Sequence, residues 1–176
     1  MVTEQNDRLS KMVKTLLDMS ELQTVGRDET IMVDALVDEV LADLEPLAQE
    51  KNVQLTGNCE AITIVGSDIL IYRLVYNLVE NAIKYNHPGG QVTVRASRKE
   101  KRVCLSVADT GNGIPEELRE RVFEPFFRVD KSRSRALGGV GLGLALVHEI
   151  VRVHDGSITV RSNPSGGTVF EVMFTQ

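Results

Sequence analysis

"VADTGNGIP", residues 107–115, is the stretch on which the reading of this chain turns. An apolar pair runs into Asp109. Gly111 and Gly113 then bracket an asparagine before Ile114 and Pro115. The stretch is the end of "RVCLSVAD" (102–109), and an alternating run, "QVTVRASR" (91–98), lies just upstream, joined to it by residues 99–101. The two runs predict an antiparallel hairpin. Asp109 therefore sits at a strand end, ahead of glycines that let a ligand come close to the backbone. Other glycine-rich stretches of the chain suit phosphate, which a carboxylate repels, so Asp109 is expected to touch something else.

Working outward, "NDRLSKMVKTLLDMSEL" (6–22) carries apolar residues in steps of three and four, an amphipathic helix. It either packs on its own domain or pairs with a helix from elsewhere. A short strand is expected at Thr30 to Val33, with Asp34 as N-cap of a helix from Ala35 to Lys51. "NVQLTG" (52–57) and "AITIVG" (61–66) read as two short strands. Ser67 or Asp68 caps the helix "ILIYRLVYNLVENAIKY" (69–85), which "NHPGG" (86–90) ends with turn chemistry. Downstream of the opening stretch come a short helix from Pro115 to Val122, a basic glycine-rich stretch from Arg128 to Gly139, and a helix from Leu142 to Val153 stopped by Asp155-Gly156. The strands "SITVRS" (157–162) and "GTVFEVMF" (167–174) flank the turn "NPSGG" (163–167). This order fits an α+β two-layer sandwich: a mixed, mostly antiparallel sheet with helices on one face, preceded by a helical tail. Strict βαβ alternation is missing, which argues against a Rossmann sheet.

The 176 residues suffice for one domain with a real core and a short appendage. A net charge of −5, no tryptophan and few aromatics speak against nucleic acid as a partner. An anionic small ligand stays possible, because Arg128, Lys131, Arg133 and Arg135 cluster against a single Asp130. Cys59 and Cys104 have neither CxxC spacing nor a nearby histidine, and read as small buried hydrophobes in a reducing compartment. The longest run without a polar side chain, Ala136 to Val147, carries four glycines and is too short to span a bilayer.

Two further clusters carry chemistry. "GGVGLGLALV" (138–147) is a glycine loop feeding a helix N-terminus, where backbone N–H groups and the helix dipole suit phosphate. Gly141 and Gly143 remove Cβ atoms where a ligand approaches; no Lys-Ser/Thr follows, so this is not a Walker loop. In "NLVENAIKYN" (77–86), Asn77 and Asn81 share a helix face, with Lys84 and Tyr85 three and four residues beyond Asn81. Amide oxygens suit Mg²⁺, which keeps waters and leans on substrate phosphates, and Lys84 adds a point charge. With phosphates there, Asp109 can accept a hydrogen bond from the exocyclic amine of adenine, against an apolar wall from Ile114.

The set "NLVENAIKY", "DTGNGI", "VFEPFFRVD", "GVGLGLALV" and "GGTVF", in this order over about residues 28–176, resembles the catalytic ATP-binding domain of bacterial sensor histidine kinases. These are that family's asparagine box, two glycine boxes with a phenylalanine box between them, and closing glycine pair. The resemblance implies the Bergerat ATP fold, shared with gyrase, Hsp90 and MutL ATPases. It implies ATP and Mg²⁺ as ligands, Asn81 helped by Asn77 at the metal, and Lys84 and Arg128 as the catalytic cations on phosphate. Tyr85, Asp109, Gly111, Gly113, Ile114, Gly139, Gly141, Leu142, Gly143, Leu144 and Thr168 complete the nucleotide site. A lid is implied from about Val122 to Gly139, with Phe123, Phe126 and Phe127 docking it. Residues 1–27 would be the tail of a dimerisation-domain helix and residues 28–176 the catalytic domain.

Two departures shape the expected function. Hydrolysing relatives carry a water-activating glutamate at the position of Asn77, so slow hydrolysis is expected here; Glu80 reads as a solvated or hydrogen-bonding partner. No H-E-x-x-T-P-like acceptor stretch is present: "HEIVRV" (148–153) lacks the Thr-Pro. The implied function is transfer of the ATP γ-phosphate to a histidine this chain lacks, within a two-component phosphorelay. The implied partners are the acceptor helix of the same kinase and a response regulator, in a homodimeric full-length protein whose fragment here is monomeric. The implied location is cytoplasmic, with membrane anchoring of the whole protein left open. The alternatives are an ATPase of the gyrase/MutL class and a nucleotide-sensing interaction module.

Overall fold

The computed structural model describes residues 2–129 and 143–175. A long helix, α1 (Val2–Glu21), leads through a short 3-10 turn (Leu22–Thr24) into β1 (Glu29–Met32) and α2 (Val33–Lys51). β2 (Gln54–Cys59) and β3 (Thr63–Gly66) follow, then α3 (Asp68–Lys84). β4 (Gln91–Lys99) and β5 (Arg102–Asp109) form the expected hairpin, with Lys99 opposite Arg102. α4 (Gly143–Val153), β6 (Ser157–Ser162) and β7 (Thr168–Thr175) complete the order.

The main sheet has the order β2-β4-β5-β7-β6, in which only β2 and β4 run parallel. α3 supplies the crossover that a parallel pair needs. β1 and β3 form a separate antiparallel ribbon, so the adjacent runs "NVQLTG" and "AITIVG" part company into different sheets. The strands alternate as one buried face demands. Val92, Val94 and Ala96 of β4, Val103, Leu105 and Val107 of β5, and Phe170, Val172 and Phe174 of β7 all point into a core closed by the helices. α2 contributes Leu36, Val37, Val40 and Leu44, and α3 contributes Leu74, Val75, Leu78 and Val79, each a stripe at helical spacing.

Two details differ from the sequence reading. α2 begins at Val33 with Met32 at its N-cap and no capping side chain, which puts Asp34 in the first turn, where its charge still favours the dipole. The expected helix at 115–122 is two 3-10 turns, Glu116–Leu118 and Arg121–Phe123. Arg119 helps to break it: its Nε donates to Ile114 O (3.2 Å) and its Nη2 to Ser162 Oγ (2.7 Å).

α3 and α4 are locked together at one end. Ser67 caps α3 by accepting from Leu70 N (3.3 Å), while the backbone N–H of Ser67 donates to His154 Nε2 (3.0 Å), just past the end of α4. The other ring nitrogen, Nδ1, donates to Ile150 O (2.8 Å). A Cβ at Gly66 would come within 2.7 Å of this ring. α1 meets the body in its last turns, where Asp18 pairs with Arg73 of α3 (2.5 Å), and Leu22 just beyond it is buried. Leu9, Val13, Leu16 and Leu17 of α1 stay exposed. No helix among the described residues is long and apolar enough to cross a membrane.

Candidate functional site

Asp109 ends β5 with only 8% of its surface exposed. Its Oδ1 accepts from the backbone N–H of Gly111 (2.9 Å) and of Thr168 (3.2 Å). Both bonds fall on one oxygen, and Oδ2 keeps its acceptor capacity. Burial pushes the carboxyl up from its ordinary pKa, and the two N–H groups pull part of the way back. A carboxylate that is costly to bury and yet held by the backbone is the kind of group found at binding sites.

The glycines around it are required by contact. Gly167 has φ +98°, and a Cβ there would lie 2.1 Å from Asp109 O and 2.7 Å from Gly111 N. The turn before β7 thus presses its backbone onto the end of β5. Asn163, in the same turn, donates from Nδ2 to Asp109 O (2.8 Å). A Cβ at Gly111 would lie 2.5 Å from Tyr85 O. Gly113 has φ +75° and faces Gly167 O. Ile114 is half-buried against the core.

The contact between Gly111 and Tyr85 joins the two halves of the site. Tyr85 caps the C-terminal end of α3, its N–H bonded to Asn81 O (3.1 Å). One turn and two turns back along that helix lie Asn81 and Asn77, both half-buried. Lys84 pairs with Glu80 at 3.5 Å, so Glu80 is an ion-pair partner here. The acidic strand end and the amide-bearing helix therefore share one side of the molecule. α4 packs beside α3 and starts at Gly143, where a Cβ would meet nothing within 4 Å among the described residues; Leu144 behind it is half-buried against the core. Gly139, Gly141 and Leu142 lie outside the described residues, as does most of the implied lid.

Around the start of the implied lid, Phe123 packs edge-on against Phe170 (6.2 Å) and lies tilted against His148 (5.5 Å). Phe127 lies under the Arg121 guanidinium (4.7 Å), while Phe126 is 46% exposed at φ +66°. Arg128 is half-buried and has an interaction partner. Glu149 is engaged by Arg152 (2.8 Å), while Ile150, Val151 and Val153 are buried in the core, so "HEIVRV" belongs to a structural helix.

One polar cluster escaped the sequence reading. Asn86, 8% exposed, donates from Nδ2 to Gln91 O (3.1 Å) and accepts at Oδ1 from His87 N (2.9 Å) and Thr110 Oγ1 (3.3 Å). Its only signal was an asparagine directly after "KY", which turn chemistry alone explained.

Residues 66–176 match the family described as histidine kinase-, DNA gyrase B-, and HSP90-like ATPase. The chain belongs to that family. This ATPase-family chain is 37% identical over 174 residues to the sensor-like histidine kinase SenX3 of Mycolicibacterium smegmatis, covering 97% of this chain and 45% of that protein. It also resembles full-length histidine kinase ShkA solved with AMPPNP (TM-score 0.81, 28% identity, 97% of this chain and 36% of that one). Histidine kinase ThkA, solved in complex with the response regulator TrrA, gives a TM-score of 0.81 at 26% identity, over 99% of this chain and 49% of that one. The domain is thus an ATP-binding catalytic domain of the sensor histidine kinase type, and the gyrase-type alternative is not favoured. The chain spans less than half the length of the curated relative it matches.

Proposed function

We propose that this chain binds ATP·Mg²⁺ in one cleft and passes the γ-phosphate to a histidine on a helix outside it. The observation that carries the reading is the buried Asp109 carboxylate, pinned through one oxygen, within a backbone contact of the helix that bears Asn77 and Asn81. Asp109 Oδ2 accepts from the adenine amine, with Ile114 and Tyr85 lining the base. Gly111 and Gly113 allow its close approach, and Thr168 holds Asp109 in place from behind. Asn81, helped by Asn77, offers amide oxygens that fit a hard cation with retained waters. Bound Mg²⁺ would supply charge neutralisation on the phosphates. Lys84, released from Glu80, and Arg128 add cationic charge there. Gly139, Gly141 and Leu142 with Gly143 and Leu144 at the start of α4 offer N–H groups to the phosphates.

This chemistry is positioning plus electrostatics. Asn77 is no general base, so water is a poor acceptor and phosphate is kept for a side chain. Residues 1–27 act as the tail of the helical domain, and residues 28–176 as the catalytic domain. The intact protein is proposed to be a homodimeric, cytoplasm-facing kinase that serves a response regulator, as the ThkA–TrrA pair suggests by analogy.

Calorimetry tests the site. Asp109→Asn should weaken ADP binding about ten- to a hundredfold, the range of a hydrogen bond to a charged group. Asn81→Ala should remove the Mg²⁺ dependence of binding. Unchanged affinity in both variants would refute the assignment. Labelled ATP with a separate acceptor-helix domain tests transfer: labelled histidine supports it, and phosphate release to water without labelling contradicts it.

A further inference from the structure

We propose that Asn86, acting with Thr110 and the backbone of Gln91, sets the spacing between the purine end and the phosphate end of the nucleotide site. The proposal rests on the site reading above. Its basis is connectivity. Asn86 follows Tyr85 and so fixes where the C-terminal end of α3 stops. Its amide bridges to Gln91 O at the start of β4 and to the hydroxyl of Thr110, which lies between Asp109 and Gly111.

The network is closed. Gln91 N donates to Thr110 Oγ1 (2.8 Å), and Thr110 N donates back to Gln91 O (3.2 Å). The single hydroxyl proton of Thr110 lies within reach of Asn86 Oδ1 (3.3 Å) and of Gln91 O (3.4 Å). Gly90 leaves room for the amide, since a Cβ there would sit 2.1 Å from Asn86 Oδ1. A buried amide with both ends engaged has one favoured position, because moving it strands polar groups without partners. The carboxylate side and the amide-helix side are therefore tied by side chains as well as by the Gly111–Tyr85 contact.

Such a tie does not touch the ligand. It affects only ligands that reach both ends, because it governs whether the second contact is made at high effective concentration. Asn86 and Thr110 are thus positioning residues, with a signature distinct from a general loss of packing. Adenosine occupies one end, and tripolyphosphate with Mg²⁺ the other.

The test measures three affinities by NMR titration and calorimetry: adenosine, Mg²⁺·tripolyphosphate and ATP·Mg²⁺. The proteins are the wild-type chain, Asn86→Ala, Thr110→Val and Thr110→Ser. We expect Asn86→Ala and Thr110→Val to leave both fragments bound as in wild type while ATP·Mg²⁺ weakens about tenfold. Thr110→Ser, which keeps the hydroxyl, should restore ATP affinity. Wild-type ATP affinity in Asn86→Ala and Thr110→Val overturns the proposal, as does parallel weakening of fragments and ATP. If wild-type protein binds neither fragment nor ATP, or Asp109→Asn changes nothing, the site reading itself fails and the spacing role falls with it.

Discussion

Gly167 offers the sharpest test of how the pocket is built. An alanine there must place its Cβ 2.1 Å from Asp109 O, against 3.4 Å for an ordinary contact, so one backbone segment has to move by more than an ångström. The φ of +98° adds about 1–3 kcal/mol for any residue with a Cβ. Moving the turn also separates Thr168 N from Asp109 Oδ1, a hydrogen bond to a charged group worth about 1.5–3 kcal/mol. Together these suggest a loss of about 3–5 kcal/mol, a large part of a domain's usual 5–15 kcal/mol or so. The neighbour Gly166 is the internal control. It too has positive φ (+91°), yet a Cβ there meets nothing within 4 Å, so Gly166→Ala should cost only about 1–3 kcal/mol. Urea unfolding of the two variants should therefore separate by about 2 kcal/mol, roughly 4–8 °C in melting temperature for a domain of this size. ADP affinity should fall in Gly167→Ala and hold in Gly166→Ala. Equal midpoints for the two would refute the argument that the turn before β7 is pressed against the end of β5.

Three other expectations follow from the same geometry. Burial lowers the pKa of His154 from its ordinary 6.5, with Arg27 adding to the effect and the Ile150 carbonyl and Asp155 opposing it. The nearby Glu29 carboxylate is taken by Asp68 N. Because the folded state holds the neutral ring, its contribution is complete above pH 6.5 and is lost as pH falls below that value. Urea midpoints at pH 7.5 and 5.5 should diverge in wild type and diverge less in His154→Gln. Asp109 runs the other way: its raised pKa makes the buried carboxylate a burden at neutral pH, so the stability attributable to it is fully present below the ordinary value of 3.8 and is lost as pH rises through the folded pKa. Asp109→Asn should raise the unfolding midpoint at pH 7.5 even as ADP binding weakens; a lower midpoint would contradict the burial argument. Asp18→Ala removes a part-exposed pair worth about 0–1 kcal/mol, so melting should barely move, while protease cleavage within residues 22–28 should quicken.

Much of this was legible in local pattern. The alternation in β4, β5 and β7 and the stripes on α2 and α3 reflect one buried face each, and periodicity records that directly. A cap at Ser67 or Asp68, and glycine at 111 as a point of close backbone approach, were also readable, because their reasons are local or stereochemical. Pairing was harder. Residues 52–57 and 61–66 look like neighbours, yet β2 lies parallel to β4 and β3 pairs back to β1; that choice depends on where α3 crosses. The Asn86–Thr110 bond spans 24 residues and exists only because the β4–β5 register sets Val92 opposite Asp109. The broken helix at 115–122 hinges on Arg119 reaching Ser162, 43 residues away. Each of these is fixed by tertiary contact, which local propensity does not encode.

β7 occupies an interior place in the sheet although it follows the other four strands of that sheet in chain order. Before it inserts, β5 has an open edge, β6 has no partner, and neither Gly167 nor Thr168 is at hand to orient Asp109. A polypeptide interrupted between residues 86 and 167 would hold the asparagine-bearing helix but lack the turn that presses on Asp109. The proposed nucleotide site would thus be completed only when β7 joins the sheet.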